Sequence, residues 1–206
     1  SFSFDYMSSM IQNRRKISTF LLMANISRKT KKQNRNSHNL FLGVDGGGTK
    51  THIVLIDYRK NFVCEGFAGA SNPLRVGLEP AVSNIIQAIN SACDRVQLSR
   101  GDIASAVLGL AGVRREDLRR RVLERFKNLT GIRKIHITTD AEIAFYGTTF
   151  GKAGVVLIAG TGSICYGKDE KGNVATAGGW GPIAGDEGGG IFIARRALQA
   201  IAKAAD

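Results

Sequence analysis

A glycine-rich turn within residues 44–57 carries residue types that bind phosphate. The segment VDGGGTKTHIVLID places three glycines, Thr49 and Lys50 between two short apolar runs. It differs from a P-loop because Thr49 separates Gly48 from Lys50, and from a dinucleotide loop because Thr51 stands where a third glycine is required. The flanking runs are typical of strands, so we predict a β-hairpin whose turn uses positive-φ glycines and backbone N–H groups to hold an anion. An ordinary tight turn is the alternative.

A second glycine-containing turn between two apolar runs occurs further along the chain. The segment VVLIAGTGSICYGKDEKGNVATAGGW, which begins at residue 155, contains an apolar run, a Gly-Thr turn, a second run, a charged turn and a third run. When Gly48-Thr49 is aligned with Gly160-Thr161, the two hairpins correspond at one offset. We predict two related domains whose turns hold one ligand from both sides of a cleft. A chance similarity between two hairpins is the alternative.

A third stretch, GGWGPIAGDEGGG, is suited to binding a sugar. Trp180 lies among glycines and is followed by Asp186 and Glu187. The apolar faces of a sugar ring pack on an aromatic side chain, while its hydroxyl groups bond to carboxylates. The structural alternatives are that Trp180 fills a core and that Glu187 caps the helix that begins near Ile191.

The elements that position these residues follow from hydrophobic periodicity. The pattern predicts the order β-β-β-α-β-α-β-α, an α/β domain, over residues 40–150. The second run of strands starts an incomplete, related domain over residues 151–206. Asp140 stands between a predicted strand and a predicted helix, where a carboxylate taken alone favours a helix N-cap.

Charge is concentrated at the amino end of the chain. The 206 residues carry a net charge of +12, but residues 1–40 hold eight Lys/Arg and one acidic residue and so account for +7. We predict a disordered basic tail over residues 1–39, either an upstream extension or an organellar transit peptide. The basic balance therefore does not indicate a nucleic-acid binder. Cys64, Cys93 and Cys165 form no C-x-x-C pair, which fits a reducing compartment and implies no metal cluster.

Four motifs in this order resemble one superfamily. GVDGGGTKT, TTDA, LIAGTGSIC and GGWGPIAGDEG together resemble the sugar kinase, heat-shock ATPase and actin superfamily. Within it they are similar to the N-acetylglucosamine kinase branch of the BadF/BadG/BcrA/BcrD-type ATPase group. The resemblance runs from about Phe41 to the last residue. It implies a ribonuclease H-like, actin-type ATPase fold with one complete domain and the start of a second, and a chain that lacks the adenosine site the family places further along.

The resemblance also implies the site. ATP and Mg²⁺ are the expected cofactors, with Asp45 holding Mg²⁺ through water and Asp140 acting as the general base. The residues implied for the phosphates are Gly47, Gly48, Thr49, Lys50, Gly160, Thr161 and Gly162. Those implied for the sugar are Asn72, Asp140, Gly179, Trp180 and Asp186.

The implied function is ATP-dependent phosphorylation of an amino sugar, N-acetylglucosamine to N-acetylglucosamine 6-phosphate. The alternatives are an activator-type ATPase of the same group, which needs cysteines placed to bind an iron–sulfur cluster, and a non-catalytic sugar-binding or nucleic-acid-binding protein. The expected partner is a small-molecule amino sugar, with no specific nucleic acid and no membrane, and a homodimer is left open. We expect a cytoplasmic protein, or an organellar one if the tail is a transit peptide. Because the second domain is incomplete, we expect no appreciable kinase activity from these 206 residues alone.

Overall fold

The computed structural model describes residues 40–206, so the tail predicted over residues 1–39 lies outside the described residues. The chain divides into two compact units, the first ending at Phe150 and the second beginning at Gly151. Each unit combines a sheet with helices, which confirms the predicted α/β class.

Over its described residues, 40–150, the first unit contains five strands and four helices. The strands are β1 (Leu40–Gly46), β2 (Thr51–Ile56), β3 (Phe62–Ala68), β4 (Ile103–Leu110) and β5 (Lys134–Thr139). The helices are α1 (Pro73–Val76), α2 (Leu78–Arg95), α3 (Glu116–Thr130) and α4 (Asp140–Thr149), with a 3-10 turn at Arg100–Asp102. The predicted order is present, with α1 and the 3-10 turn in addition. Both are single turns, too short to give a hydrophobic period in the sequence.

The sheet brings several loops to one edge. Its strand order is β3-β2-β1-β4-β5, with β2 antiparallel to β1 and β3, and with β1, β4 and β5 mutually parallel. The carboxyl ends of four strands, β1, β3, β4 and β5, therefore meet at the same edge. Gly46 pairs with Leu110, and Leu110 pairs with Thr139, so three strand ends form one row.

The main core lies on the face of the sheet that packs against α2 and α3. Its fully buried large side chains include Leu42, Ile53, Leu55, Val82, Ile85, Ile89, Leu108, Val122 and Phe126. Burial of each such side chain contributes about 1.5–3 kcal/mol. The absence of a side chain at Gly66 lets α2 approach β3, because a Cβ there would collide with the carbonyl oxygen of Ala88. On the other face, α4 packs against a smaller cluster of Ile56, Val107 and Ile143.

The second unit opens with a three-stranded antiparallel meander. It consists of β6 (Gly154–Ala159), β7 (Ser163–Lys168) and β8 (Val174–Gly178), followed by α5 (Gly181–Ala184) and α6 (Gly190–Ala205). Tyr166 is buried, whereas α6 exposes Ile193, Leu198 and Ile201. Of the helices within residues 40–206, none has both the length and the apolar character needed to cross a bilayer.

The two meanders correspond at the offset that relates the Gly-Thr turns. β2 begins at Thr51 and β7 at Ser163, while β3 begins at Phe62 and β8 at Val174, so both pairs of strand starts are separated by the same length of chain as Gly48 and Gly160. The turns that follow β2 and β7 also make the same hydrogen bonds. The amide Nδ2 of the asparagine donates to the aspartate at 3.0 Å in the Asp57–Asn61 turn and at 2.8 Å in the Asp169–Asn173 turn. The correspondence seen at the Gly-Thr turns therefore extends to the starts of two further pairs of strands and to a second turn, whereas β1 and β6 begin at residues 40 and 154 and do not share that offset.

Candidate active site

The first glycine turn leaves three consecutive backbone donors unused. Gly47 N–H donates to the Lys50 carbonyl at 2.9 Å and closes the turn. Within residues 40–206, the N–H groups of Gly48, Thr49 and Lys50 meet no hydrogen-bond acceptor. Thr49 and Lys50 are exposed. Three adjacent amides beside a lysine form an anion-binding nest, so the residues present fit a phosphate group.

The expectation that this turn uses positive-φ glycines is wrong. None of the three glycines has positive φ. Four residues separate the paired Gly46 and Thr51, and a loop of that length is most often built around a type I turn, which needs no positive φ in its centre. Gly46 is needed for close packing instead, because a Cβ there would collide with the hydroxyl of Ser71. A Cβ on Gly48 would lie 3.2 Å from Nη1 of the exposed Arg75 side chain, which can move aside.

A buried pair of hydroxyl groups ties the turn to the loop after β3. Thr51 Oγ1 lies 2.6 Å from the Gly69 carbonyl and 2.8 Å from Ser71 Oγ. With one hydrogen available, Thr51 donates to the carbonyl and accepts from Ser71. The backbone N–H groups of Ser71 and Asn72 both donate to the Gly47 carbonyl, at 3.1 and 3.2 Å. The turn and the Asn72 loop are therefore one hydrogen-bonded unit.

Asn72 is held in place from two sides. Its Oδ1 accepts from Leu74 N–H at 2.9 Å and caps α1, whose first residue is Pro73. Its side chain also packs against Gly112, where φ is +81° and a Cβ would collide with the amide. The structure thus places this predicted sugar residue beside the predicted phosphate turn.

Asp140 begins α4 but is not its cap. Thr139 is the N-cap, since its side chain accepts from Glu142 N–H at 3.2 Å, so the capping interpretation of Asp140 is wrong. The half-buried carboxylate of Asp140 accepts from Ala141 N–H at 2.9 Å. Gly46 and Thr139 end strands separated by β4, and strands are about 4.8 Å apart, so Asp140 lies about 10 Å from the turn along the same edge.

Asp45 lies near the end of β1, on the face of the sheet that packs against α4. It is half-buried and pairs with Gly109 of β4, and the absence of a side chain at Gly109 lets Ile143 of α4 approach. Among residues 40–206, no group of three or more His, Cys, Asp or Glu side chains could hold a metal ion. A single carboxylate next to a phosphate turn fits Mg²⁺, which keeps several waters and takes the remaining oxygens from phosphate.

The second turn is fixed by the amino end of α6. Gly160 N–H donates to the Gly162 carbonyl at 2.8 Å, while the N–H groups of Gly190 and Ile191 donate to the carbonyls of Gly160 and Thr161 at 2.8 and 3.2 Å. In the described chain the amides of Thr161 and Gly162 make no hydrogen bond. This turn, too, fits an anion.

The sugar residues predicted in the second unit surround its turn. Gly179 has φ of +69° and its N–H donates to the Ser163 carbonyl at 2.8 Å. Trp180 is 69% exposed, so the interpretation of it as a core residue is wrong for the described chain. The Asp186 carboxylate lies directly against Gly162. It is held there by a backbone φ of +60°, which is uncommon for a residue other than glycine.

Glu187 does not cap α6, contrary to the structural alternative. The N-cap is Gly189, and no side chain bonds to the first turn of the helix. Glu187 contributes its carbonyl instead, which accepts from Ser163 Oγ at 2.7 Å. A Cβ on Gly189 would come 2.8 Å from the Gly162 backbone, so a glycine is needed for the approach of these two segments.

The cysteines are poor candidates for cluster ligands. Cys64 and Cys93 are both buried in the core of the first unit, and Cys165 lies half-buried in the second. Burial raises the pKa of Cys93 to about 11, and the nearby Cys64 adds to the effect. Burial also raises the pKa of Cys64. Metal binding requires the thiolate, which these surroundings disfavour.

The sequence interpretation missed several residues that build the site. They are Thr51, Ser71, Arg75, Gly112 and Thr139. The burial of Thr51 could have been predicted, because strand alternation places it on the inward face with Ile53 and Leu55. The Asn72-Pro73 pair likewise predicts a helix start. Nothing local indicates Gly112, whose role depends on a side chain that reaches it from another loop.

Comparisons with known proteins identify the family. The family model described as the BadF/BadG/BcrA/BcrD ATPase family matches residues 42–206. The chain is 34% identical over 166 residues to an N-acetylmuramic acid/N-acetylglucosamine kinase of Clostridium acetobutylicum, covering 80% of this chain and 54% of that protein. It is 35% identical over 179 residues to an N-acetyl-D-glucosamine kinase of Dictyostelium discoideum, covering 82% and 56%.

A solved structure gives the same result. A Chromobacterium violaceum protein provisionally named an N-acetylglucosamine kinase superposes with a TM-score of 0.68 at 27% identity, over 80% of this chain and 57% of that one. The chain spans about half the length of the curated relatives it matches. The family resemblance predicted from the motifs is confirmed.

Proposed function

The chain belongs to the BadF/BadG/BcrA/BcrD ATPase family, and from that premise we propose that the protein transfers the terminal phosphoryl group of ATP to N-acetylglucosamine, forming N-acetylglucosamine 6-phosphate. One observation carries the proposal. A nest of unused amides, the Asn72 loop and the half-buried Asp140 all lie at the same edge of one sheet. Phosphoryl transfer needs these three things close together: donors for phosphate oxygens, a group that orients the acceptor, and a base.

ATP supplies the phosphoryl group and Mg²⁺ neutralises part of its charge. The residues that would hold the phosphates are the turn at residues 47–50 and the turn at residues 160–162. Lys50 adds a positive charge to the first turn, and Asp45 would hold Mg²⁺ through water. Backbone amides suit this task because they are already oriented and need no reorganisation when the phosphate arrives.

Asp140 acts as the general base. Its carboxylate would accept the proton of the sugar 6-hydroxyl, which makes that oxygen more nucleophilic; the oxygen bonds to the γ-phosphorus as the bond from phosphorus to the bridging oxygen breaks and ADP leaves. The separation of about 10 Å between Asp140 and the turn leaves room for a hydroxyl and a phosphoryl group between them. Its backbone position is fixed at the start of α4, where Thr139 is the N-cap and Ala141 N–H donates to the Asp140 carboxylate at 2.9 Å.

The residues proposed to bind the sugar are Asn72 in the first unit and, within the second unit, Gly179, Trp180 and Asp186. The exposed indole of Trp180 provides an apolar surface for one face of the ring. The names of the two relatives support an N-acetylated sugar. Glucosamine and other amino sugars are competing substrates. We place the protein in the cytoplasm and expect no nucleic-acid or membrane partner.

The activator-type ATPase is the weaker candidate. It would need thiolates on the surface for an iron–sulfur cluster, whereas Cys64 and Cys93 are buried and protonated at neutral pH. A non-catalytic sugar-binding protein would have no use for the amide nest.

A transfer assay tests the proposal. The full-length protein is incubated with γ-labelled ATP and a panel of N-acetylglucosamine, N-acetylmuramic acid, glucosamine and glucose. We expect label on N-acetylglucosamine in excess of the others. Release of labelled inorganic phosphate that no sugar accelerates would favour the activator-type ATPase, and the absence of any ATP turnover would contradict the proposal.

A further inference from the structure

We infer that Arg75 is a phosphate-binding residue, a second cation that contacts the phosphoryl oxygens held at the first glycine turn. The inference rests on the proposed function, since it concerns the same site. It adds a side chain that the motifs do not indicate, because Arg75 lies outside the turn, in the one-turn helix α1.

The side chain of Arg75 lies over the turn. An ideal Cβ built on Gly48 would lie 3.2 Å from Arg75 Nη1 and 3.6 Å from its Cδ. The guanidinium is therefore next to the Gly48 backbone, whose N–H is the first of the three unused amides. Lys50 stands on the same turn. The Arg75 guanidinium thus lies beside a turn that carries three unused amides and one lysine.

The backbone of Arg75 is fixed relative to the turn. Asn72 N–H donates to the Gly47 carbonyl at 3.2 Å, and Arg75 N–H donates in turn to the Asn72 carbonyl at 3.0 Å. Two successive backbone hydrogen bonds therefore link Arg75 to the turn. Because its backbone is fixed, the Arg75 side chain loses less conformational freedom when it binds an anion.

Arg75 makes no hydrogen bond or ion pair through its side chain with any residue in the described range 40–206. This contrasts with Arg115 and Arg125, which pair with Asp117 at 2.9 Å and Glu79 at 2.7 Å. An exposed guanidinium that covers a turn of unused amides keeps all five donors for a ligand.

The chemistry of the ligand is that of an oxyanion. Arg binds phosphate and carboxylate with two parallel N–H···O bonds. Phosphate on a nucleotide is one source, and the carboxylate of a sugar acid such as N-acetylmuramic acid is another. The contact with Gly48 favours phosphate, because the unused amides next to the guanidinium can donate hydrogen bonds to phosphate oxygens.

Binding of tripolyphosphate tests this inference without the adenosine site or turnover. The full-length protein, Arg75→Gln, Arg75→Lys and the control Arg121→Gln are titrated calorimetrically with Mg²⁺-tripolyphosphate and with ATP. Arg121 is an equally exposed arginine on α3, away from the sheet edge. We expect Arg75→Gln to weaken binding of both ligands about 10-fold or more, Arg75→Lys to weaken it less, and Arg121→Gln to leave it unchanged.

The outcomes separate this inference from the function on which it rests. If wild type binds neither tripolyphosphate nor ATP, the proposed function and the inference both fail. If wild type binds both and Arg75→Gln binds them equally well, the function stands and the inference is wrong. Titration with N-acetylmuramic acid and N-acetylglucosamine is the last arm: a loss in Arg75→Gln confined to N-acetylmuramic acid would assign Arg75 to a sugar carboxylate and overturn the phosphate assignment.

Discussion

At the scale of single residues, the hydroxyl groups of Thr51 and Ser71 connect the first glycine turn to the Asn72 loop. Both residues are fully buried, and their 2.8 Å hydrogen bond lies directly beneath Gly46. A buried hydroxyl without a partner costs about 1–3 kcal/mol. Losing this hydrogen bond would therefore lower the free energy of unfolding, so the two side chains stay paired.

Thr51→Val keeps the shape of the side chain and removes its hydroxyl. We expect a loss of about 1–3 kcal/mol in the free energy of unfolding, because Ser71 and the Gly69 carbonyl lose their partner. ATP should also bind more weakly, since the turn is less firmly held. Urea unfolding and calorimetry measure the two effects. Thr51→Ser is the matched control and should retain ATP affinity; a valine variant as stable and as tight-binding as wild type would contradict this role.

Trp180 is a residue whose exposure makes sense if a ligand covers it. Trp180→Ala should weaken binding of N-acetylglucosamine at least several-fold while changing ATP affinity little, because the indole offers its surface to the sugar ring. Calorimetry with each ligand measures the difference. Unchanged sugar affinity would show that the indole serves another purpose.

At the scale of elements, two glycines with similar backbone conformations differ in whether another side chain packs against them. Gly112 and Gly172 have φ of +81° and +87°, but a Cβ on Gly112 would collide with Asn72, whereas one on Gly172 would meet nothing within 4 Å. Gly172→Ala should therefore cost only the strain of a left-handed residue, about 1–2 kcal/mol. Gly112→Ala should cost more and also weaken sugar binding by displacing Asn72.

Thermal unfolding and sugar titration of the two alanine variants test this pair. Gly172→Ala is the control for backbone strain, because it changes the same property far from the site residues. Equal losses of stability with no effect on sugar binding in either variant would show that Gly112 has no positioning role.

The core position of two cysteines gives a prediction about reactivity. Iodoacetamide at about pH 8 should modify Cys165 first and spare Cys64 and Cys93, whose pKa values burial raises. Mass spectrometry of the labelled native protein measures the order. Rapid labelling of Cys93 would show an accessible thiolate and revive the cluster-binding alternative.

The same shift predicts a loss of stability in alkali. Since the pKa of Cys93 is raised from 9.0 to about 11 in the folded protein, the unfolded thiol ionises first as pH rises. This contribution to the free energy of unfolding is complete below pH 9.0 and is lost as pH rises through about 11. Cys93→Ala should reduce that part of the alkaline dependence.

Sequence patterns predicted the elements better than the contacts between loops. Strand and helix order follow from periodicity, which a single segment carries in itself. The role of the turn glycines was wrongly predicted, because Gly46 is required by Ser71, a residue of a different loop. Taken alone, Asp140 favours a helix cap, and only the four-motif resemblance points to a base; in the structure the preceding Thr139 is the N-cap. In both places the outcome depends on a neighbouring residue, which local sequence does not decide.

At the scale of the whole molecule, the chain contains two β-meanders, each with a Gly-Thr turn. The starts of the second and third strands, a Gly-Thr turn and an Asp–Asn turn recur in the two meanders at a single constant offset. The sequence revealed that offset through the Gly-Thr turns, while the matching Asp57–Asn61 and Asp169–Asn173 bonds became visible only in the structure.

The central claim is that Asp140 is the base of a phosphoryl transfer to an amino sugar, and one comparison tests it most directly. Transfer of label from γ-labelled ATP to N-acetylglucosamine is measured for the full-length protein and for Asp140→Asn, which is nearly isosteric. We predict that kcat falls about 100-fold or more while sugar affinity changes only a few-fold, because the amide keeps its place but cannot accept the proton. An asparagine variant that turns over as fast as wild type would contradict the claim.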